Sequence, residues 1–423
     1  MSLDGVIERR MLGALRALGL GACLVASMIA SPASAGGVEH ASNIGHVFVI
    51  VLENESYGTT FGPDSKAPYL ATTLPKQGVM LDNYFGTAHF SLPNYIAMIS
   101  GQAATPETRD DCEVYLDFKS DGLDIDGQAR GHGCVYPSSV RTIAQQLESR
   151  HKTWRAYMED MGNDPKRESA TCGHAPLNSP DPTQHAEGPS ALVPKGDQYA
   201  ARHDPFVYFH AIIDSPSCTK SVVNLNRLRA DLRSARSTPD LSFISPNLCH
   251  DGHDAPCKTG EPGGLVSADR FLREWVPRIM RSPAYRKDGL LIVLFDEGDV
   301  PETPQAGGGT LQEYPGERCC NQQKGPNLAD FPQVEHWDQD VVTFADFGGD
   351  RTGAVLLSPM LVPGTIARTP FSHYALLKSL EHVFGIDEHL GYAAQPGLVD
   401  FFDCKASDIP LRAPFRGCSD TER

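Results

Sequence analysis

His46-Val47-Phe48-Val49-Ile50-Val51-Leu52 runs straight into Glu53-Asn54-Glu55-Ser56-Tyr57-Gly58. Seven nearly continuous apolar residues, rich in β-branched side chains, are too few for a free-standing helix and too hydrophobic for a surface strand. They predict a buried strand of a parallel sheet. Ligand crevices in open α/β sheets lie beyond the carboxyl ends of such strands. A carboxylate and an amide stand at that end here, which makes Glu53 and Asn54 candidate site residues; the competing role for Glu53 is a cap on the next element. Leu290-Leu291-Ile292-Val293-Leu294-Phe295 is a second strand of the same kind, and it too ends in acid, Asp296-Glu297-Gly298-Asp299.

Outward from these two strands, helices and strands alternate. Tyr69–Leu74 predicts a short helix and Val79–Phe85 a strand. His89-Phe90-Ser91-Leu92-Pro93-Asn94 opens a helix that runs to Gly101, with Pro93 in its first turn. Ser91 reads either as an N-cap or as a hydroxyl held where helix amides face an anion. Ser138-Ser139 starts a helix with Val140, Ile143, Ala144 and Leu147 on one face, and Thr153–Met158 predicts a strand ending in Glu159-Asp160. Leu225–Arg233 predicts a helix and Leu241–Pro246 a strand. That strand ends in Asn247-Leu248-Cys249-His250-Asp251-Gly252-His253-Asp254, the densest set of ligating groups in the chain, for which a polar loop pinned by Cys249 is the alternative. Ser267 is expected to cap a helix striped with Phe271, Leu272, Trp275, Val276, Ile279 and Met280, kinked by Pro277. Val355–Pro359 predicts a strand, and Ser372-His373-Tyr374 opens a last helix stopped by Gly385. The order gives an α/β fold with a mostly parallel central sheet flanked by helices.

Stretches near 102–137, 163–197 and 300–340 are rich in Gly, Pro and polar residues and read as disulfide-pinned loop insertions in one domain spanning 36–423. The first and third are expected at the rim of the site. Residues 1–35 read as a secretory signal: Arg9-Arg10, an apolar run from Met11 to Ala30, and Ala33-x-Ala35 before Gly36. Leu20-Gly21-Ala22-Cys23 offers a lipoprotein box instead. No later segment is apolar enough to span a bilayer, so the mature chain is expected to be exported, periplasmic or secreted. Of eleven cysteines, ten lie beyond the leader. An even number in an exported chain predicts disulfides, with Cys112–Cys134, Cys249–Cys257 and Cys404–Cys418 as local pairs. The net charge of −16 argues against a nucleic-acid partner. Any phosphate would need a local metal.

Carboxylates gathered at one sheet edge, Glu53 from one strand and Asp296 with Glu297 from the other, repel unless a divalent cation joins them. A hydroxyl beside that cation can attack phosphorus. The motifs point the same way. Val49-Ile50-Val51-Leu52-Glu53-Asn54-Glu55-Ser56-Tyr57, Phe295-Asp296-Glu297-Gly298 and Ser372-His373-Tyr374-Ala375-Leu376-Leu377-Lys378-Ser379-Leu380-Glu381 resemble, in that order, motifs of the phosphoesterase family of bacterial phospholipases C and secreted acid phosphatases, within the alkaline phosphatase superfamily. Cys134-Val135-Tyr136-Pro137, Tyr157-Met158-Glu159-Asp160-Met161, Arg202-His203-Asp204-Pro205-Phe206 and Pro246-Asn247-Leu248-Cys249 resemble segments of its acid phosphatase-like members.

The resemblance implies an alkaline phosphatase-like fold and at least one divalent metal held by Glu53, Asn54, Asp296 and Glu297. Mg, Mn or Ca suits oxygen ligands, and Zn or Fe suits a set joined by histidine. Ser91-Leu92-Pro93-Asn94 resembles the nucleophile motif of the related nucleotide pyrophosphatases, which implies Ser91 as nucleophile and Asn94 as a ligand for a phosphoryl oxygen. His203, His250 and His253 are candidates for phosphate contacts or for protonating the leaving oxygen. The expected activity is that of an acid phosphatase on a small phosphate ester. A phospholipase C acting on a phospholipid headgroup, without stable membrane insertion, and a non-catalytic binding protein are the alternatives.

Overall fold

The structure is a computed structural model and describes residues 43–337 and 339–412. The expected signal peptide and Cys418 lie outside the described residues.

The quoted stretch forms strand β1 (His46–Leu52), buried along its whole length. With it, β2 (Val79–Leu81), β3 (Trp154–Met158), β4 (Val222–Asn224), β5 (Leu241–Ser245), β6 (Gly289–Phe295), β7 (Ala354–Leu357) and β8 (Thr365–Ala367) make one sheet in the order β8-β2-β7-β6-β1-β5-β3-β4. All neighbours run parallel except β7, which is antiparallel to both β2 and β6. The period of two assigns alternate side chains of β1 to opposite layers. Val47, Val49 and Val51 join the core beneath helices α1 (Ser91–Ser100) and α4 (His373–Val383). Phe48, Ile50 and Leu52 join Leu272, Trp275 and Val276 of α3 (Gly264–Arg281) on the other face. The fold is α/β, as the strand pattern predicts.

Several boundaries differ from the sequence expectation. Helix α2 is Ile143–Ser149 and begins at Thr142, not at Ser138-Ser139. Thr142 and Gln145 cap each other's backbone reciprocally, and that box overrides the serine pair. Ser267 is not the cap of α3: the helix starts after Gly263, and Ser267 Oγ accepts the Gly263 N–H at 3.0 Å. The helix continues through Pro277 to Arg281. The strand expected over Val79–Phe85 breaks at Asp82-Asn83 into β2 and a two-residue piece, Tyr84–Phe85.

Disulfides join Cys112–Cys134 and Cys249–Cys257, as expected, and also Cys172–Cys218 and the adjacent Cys319–Cys320. The stretch near 102–137 carries a hairpin, Lys119–Leu123 with Ala129–His132. The one near 300–340 reaches Phe344 and holds a separate four-stranded sheet of Thr303–Pro304, Thr310–Tyr314, Gln333–Trp337 and Asp340–Phe344. No described helix is long and apolar enough to cross a membrane.

Candidate active site

Strand register fixes the site. Leu52 pairs with Phe295, so Glu53 and Asp296 leave the sheet side by side, and the Asp296 N–H donates to Leu52 O at 2.9 Å. Both carboxylates are buried. Glu53 Oε2 accepts the Ser91 hydroxyl at 2.6 Å and its Oε1 accepts the Tyr95 hydroxyl at 2.5 Å. Asp296 Oδ1 accepts the N–H groups of Asn54 (3.0 Å) and Glu297 (2.7 Å). Its own carbonyl is held by His373 Nε2–H at 2.5 Å, with Tyr84 donating to the other ring nitrogen. Burial pushes His373 down to about 4, so its neutral form is the one that binds.

The end of β5 adds Asp251, a member of the dense ligating stretch in which specific roles are expected of His250 and His253. Its carbonyl accepts the Glu53 N–H at 2.9 Å, and its side chain is fully buried. Gly252 next to it has φ 118, and a Cβ there would lie 3.2 Å from Glu53 O, so the turn needs glycine. His203 closes the group: Nε2 lies 3.4 Å from Glu53 Oε1, Nδ1 lies 3.7 Å from Asp251 Oδ2, and the ring stacks on Tyr95.

Four buried atoms here lack any hydrogen-bond partner among the described residues: Asn54 Oδ1, His203 Nε2, Asp251 Oδ2 and Asp296 Oδ2. Burial, with Asp296 beside it, drives Glu53 well above the usual carboxylate range; burial and Glu297 do the same to Asp296, and burial and Glu53 to Asp251. Burial, then Arg202, pushes His203 well down. Orphaned oxygens among carboxylates that resist ionisation fit a bound divalent cation, whose charge inverts that balance. Among the described residues one trio of His, Cys or carboxylate atoms lies mutually within 4.8 Å, namely Cys249, His250 and Glu261. The Cys249 sulfur is committed to Cys257. A cation at the sheet edge would therefore draw on the Asn54 amide beside Glu53 and Asp296. Glu297 is turned aside: its Oε2 accepts from His89 Nδ1–H (2.5 Å) and from the Phe90 N–H (3.1 Å).

Other expectations need correction. Ser91 is the first residue of α1 rather than its cap, because Phe90, at φ 73, holds the capping position. The helix's early amides do not face open space: the Leu92 N–H donates to Asp111 Oδ1 at 2.9 Å, and Arg202 Nε lies 3.6 Å from the same carboxylate's Oδ2. Asn94 does not turn its amide to a substrate. Its Oδ1 accepts from the Thr87 N–H, the Thr87 hydroxyl and the Ala88 N–H, while its Nδ2 donates to Ala88 O and Phe90 O. It builds the turn that presents Ser91. His250 is spent on Glu159 (2.9 Å) and Glu261 (3.4 Å), beside a separate cleft of about 330 Å³ that includes neither Glu53, Ser91 nor Asp296 in its lining. His253 is half exposed, with Nδ1 3.5 Å from Asp254 Oδ1, and its backbone N–H donates to Asp251 Oδ1 at 3.0 Å, next to the carboxylate group.

Residues 63–387 match the model of the family described as the phosphoesterase family, a span that includes Ser91, Asp296 and Glu297 and begins after Glu53 and Asn54. The chain is 27% identical over 258 residues to a phosphate-repressible acid phosphatase of Penicillium chrysogenum, covering 60% of this chain and 48% of that protein. It is 23% identical over 396 residues to a phosphatidylinositol-3-phosphatase of Mycobacterium tuberculosis, covering 93% and 95%. The chain thus spans about half the length of the fungal acid phosphatase and nearly all of the mycobacterial protein. A solved alkaline phosphatase superfamily protein of Vibrio parahaemolyticus shares 10% identity at a TM-score of 0.43, with 82% and 67% covered, a level that leaves the fold to be read from the sheet itself. With 63–387 matched and a nucleophile candidate hydrogen-bonded to a carboxylate at the sheet edge, the chain belongs to the phosphoesterase family.

Proposed function

We propose that the chain is an exported, metal-dependent phosphoric ester hydrolase, an acid phosphatase that attacks small phosphomonoesters through Ser91. The observation that carries this is the 2.6 Å hydrogen bond from Ser91 Oγ to Glu53, beside the orphaned oxygens of Asn54 and Asp296. The other residues of the site support the same reading.

Glu53, Asn54 and Asp296 would hold the cation. When bound it supplies Lewis-acid polarisation of a phosphoryl oxygen and favours the ionised form of a neighbouring hydroxyl. Ser91 points its proton at Glu53 Oε2, which orients the oxygen for attack. The Ser91 Oγ–P bond forms as the P–O bond to the leaving alcohol breaks, and the leaving oxygen needs a proton. His253 would make that transfer, since its side chain is half exposed and its backbone is bonded to Asp251, whereas His203 is buried and held neutral.

The second reading concerns substrate. Full-length likeness to the mycobacterial protein favours a phosphomonoester on a lipid headgroup over a soluble ester. Hydrolysis of p-nitrophenyl phosphate, a phosphoinositide monoester and a choline phosphodiester, each with and without chelator, tests both readings. Chelator-sensitive cleavage of monoesters alone is the expected result. Preferential diester cleavage would make the chain a phospholipase C-type enzyme, and binding without cleavage of any ester would make it a non-catalytic binding protein.

A further inference from the structure

His89, two residues before Ser91, lies buried between two carboxylates. Nδ1–H donates to Glu297 Oε2 at 2.5 Å and Nε2–H to Asp350 Oδ2 at 3.1 Å. The Tyr314 ring covers the imidazole, with centroids 4.0 Å apart. Asp350 is itself fixed: its Oδ1 accepts the Glu317 N–H and its carbonyl accepts the Gly86 N–H at 2.9 Å. It adopts φ 60, a conformation that Asp and Asn tolerate better than most residues.

Beyond Glu297 the connections reach the nucleophile candidate. Glu297 Oε2 also accepts the Phe90 N–H at 3.1 Å, and Asn94 Nδ2 donates to Phe90 O at 3.0 Å. Phe90 has φ 73, a strained backbone for an aromatic residue that persists only where its surroundings impose it. The bonds on either side of Phe90 supply that constraint. Asp350, His89, Glu297 and the Phe90 N–H therefore form one continuous series that ends at the His89–Phe90 peptide, while Asn94 holds the carbonyl of the Phe90–Ser91 peptide on the other side of Phe90.

We propose that Asp350 and His89 are positioning residues of the hydrolytic site: they aim Glu297, and through it they fix the backbone step that presents Ser91. This rests on the reading of Ser91 as nucleophile. Asp350→Asn is the sharp test, because the amide keeps the shape and the acceptor for the Glu317 N–H but gives His89 no anion.

The expected result is a loss of about 10–100-fold in kcat on p-nitrophenyl phosphate, with KM within about threefold of the parent. Mn2+ affinity, measured by isothermal titration calorimetry, should weaken by about tenfold or more, because Glu297, though not itself a ligand, holds Asp296 Oδ1 through its N–H at 2.7 Å, and disturbing the hydrogen-bond partners of a ligand has that effect. The melting temperature reports folding. His89→Gln, which can donate to one of the two carboxylates, should show the same two losses and serves if Asp350→Asn does not fold. Parental kcat in a folded variant overturns the proposal. If the parent hydrolyses no phosphate ester, the reading of Ser91 fails separately, and Mn2+ affinity alone decides the positioning role: weakened in the variants supports it, unchanged or absent throughout overturns it.

Discussion

Ser91 Oγ donates to Glu53 Oε2 at 2.6 Å, joining the first residue of a buried helix to the first residue beyond the central strand, 38 positions earlier in the chain. Neither group has a reason to be there for packing. A carboxylate buried beside Asp296 and accepting two hydroxyls is costly unless a cation or a reaction uses it.

Ser91→Ala is expected to reduce turnover of p-nitrophenyl phosphate by at least about 10³-fold. Because Ser91 does not cap α1, the melting temperature should change little. The variant should also fail to trap a covalent phosphoryl group in acid-quenched digests read by mass spectrometry. Near-parental turnover would move the nucleophile to another group.

Removing divalent metal should abolish activity and lower thermal stability together, since the orphaned oxygens of Asn54, Asp251 and Asp296 are then left without a partner. Restoring a cation at about 100 times its Kd should return about 2.7 kcal/mol by mass action. Full activity in protein shown metal-free by elemental analysis would contradict the ligand set. Asp251→Asn, in the dense ligating stretch after β5 but not among the candidates drawn from it, is expected to weaken metal binding as well.

His250 makes a pH-dependent contribution to stability rather than to turnover. Burial alone would lower its proton affinity, but its bonds to Glu159 and Glu261 override that and raise it to about 9. A raised value means that the stabilisation is complete below the unfolded value near 6.5 and is lost as pH rises through about 9. His250→Gln should therefore cost about 1–2 kcal/mol at pH 6, after allowance for partial solvent screening, and almost nothing at pH 10. Denaturant melts at both pH values check this, and kcat should stay within about threefold.

Disulfide loss should scale with the loop closed. Removing Cys172–Cys218, which spans 46 residues, is expected to cost about 4 kcal/mol, and removing Cys249–Cys257, which spans 8, less than about 3 kcal/mol. Paired Cys→Ala variants compared by chemical denaturation measure the difference. Equal costs would show that local strain, not chain entropy, sets their value.

Six of the eight central strands were legible because the inner ones have to be apolar on both faces, and β1 and β6 declare themselves by composition alone; the three-residue edge strands β4 and β8 are too short and too exposed to show a pattern. Glu53, Asn54 and Asp296 follow from strand ends, since register then brings them together. Helix starts were less legible. Thr142 with Gln145 won over Ser138-Ser139, and Gly263 over Ser267, through reciprocal hydrogen bonds that residue type alone does not distinguish. Asn94 and His250 were misread for one reason: each is the right residue type at the right sequence distance, but every polar atom is already committed to a neighbour. His89 and Asp350 were invisible because 261 positions separate them.

The sheet of Thr303–Phe344 shares no strand with the central one. It hangs between Asp299 and Asp350 yet sets Tyr314 and Phe344 over His89 and Phe90. Such a segment behaves as a cassette. Its length and face can drift during divergence, or be exchanged by an engineer, without shifting the register of any of the eight central strands. Glu317, Tyr314 and Phe344, with Gln322, whose Nε2 donates to Thr87 O at 2.6 Å, tie its content to the chemistry below, so a graft that keeps those four contacts can redraw the rim while the carboxylate edge stays as it is.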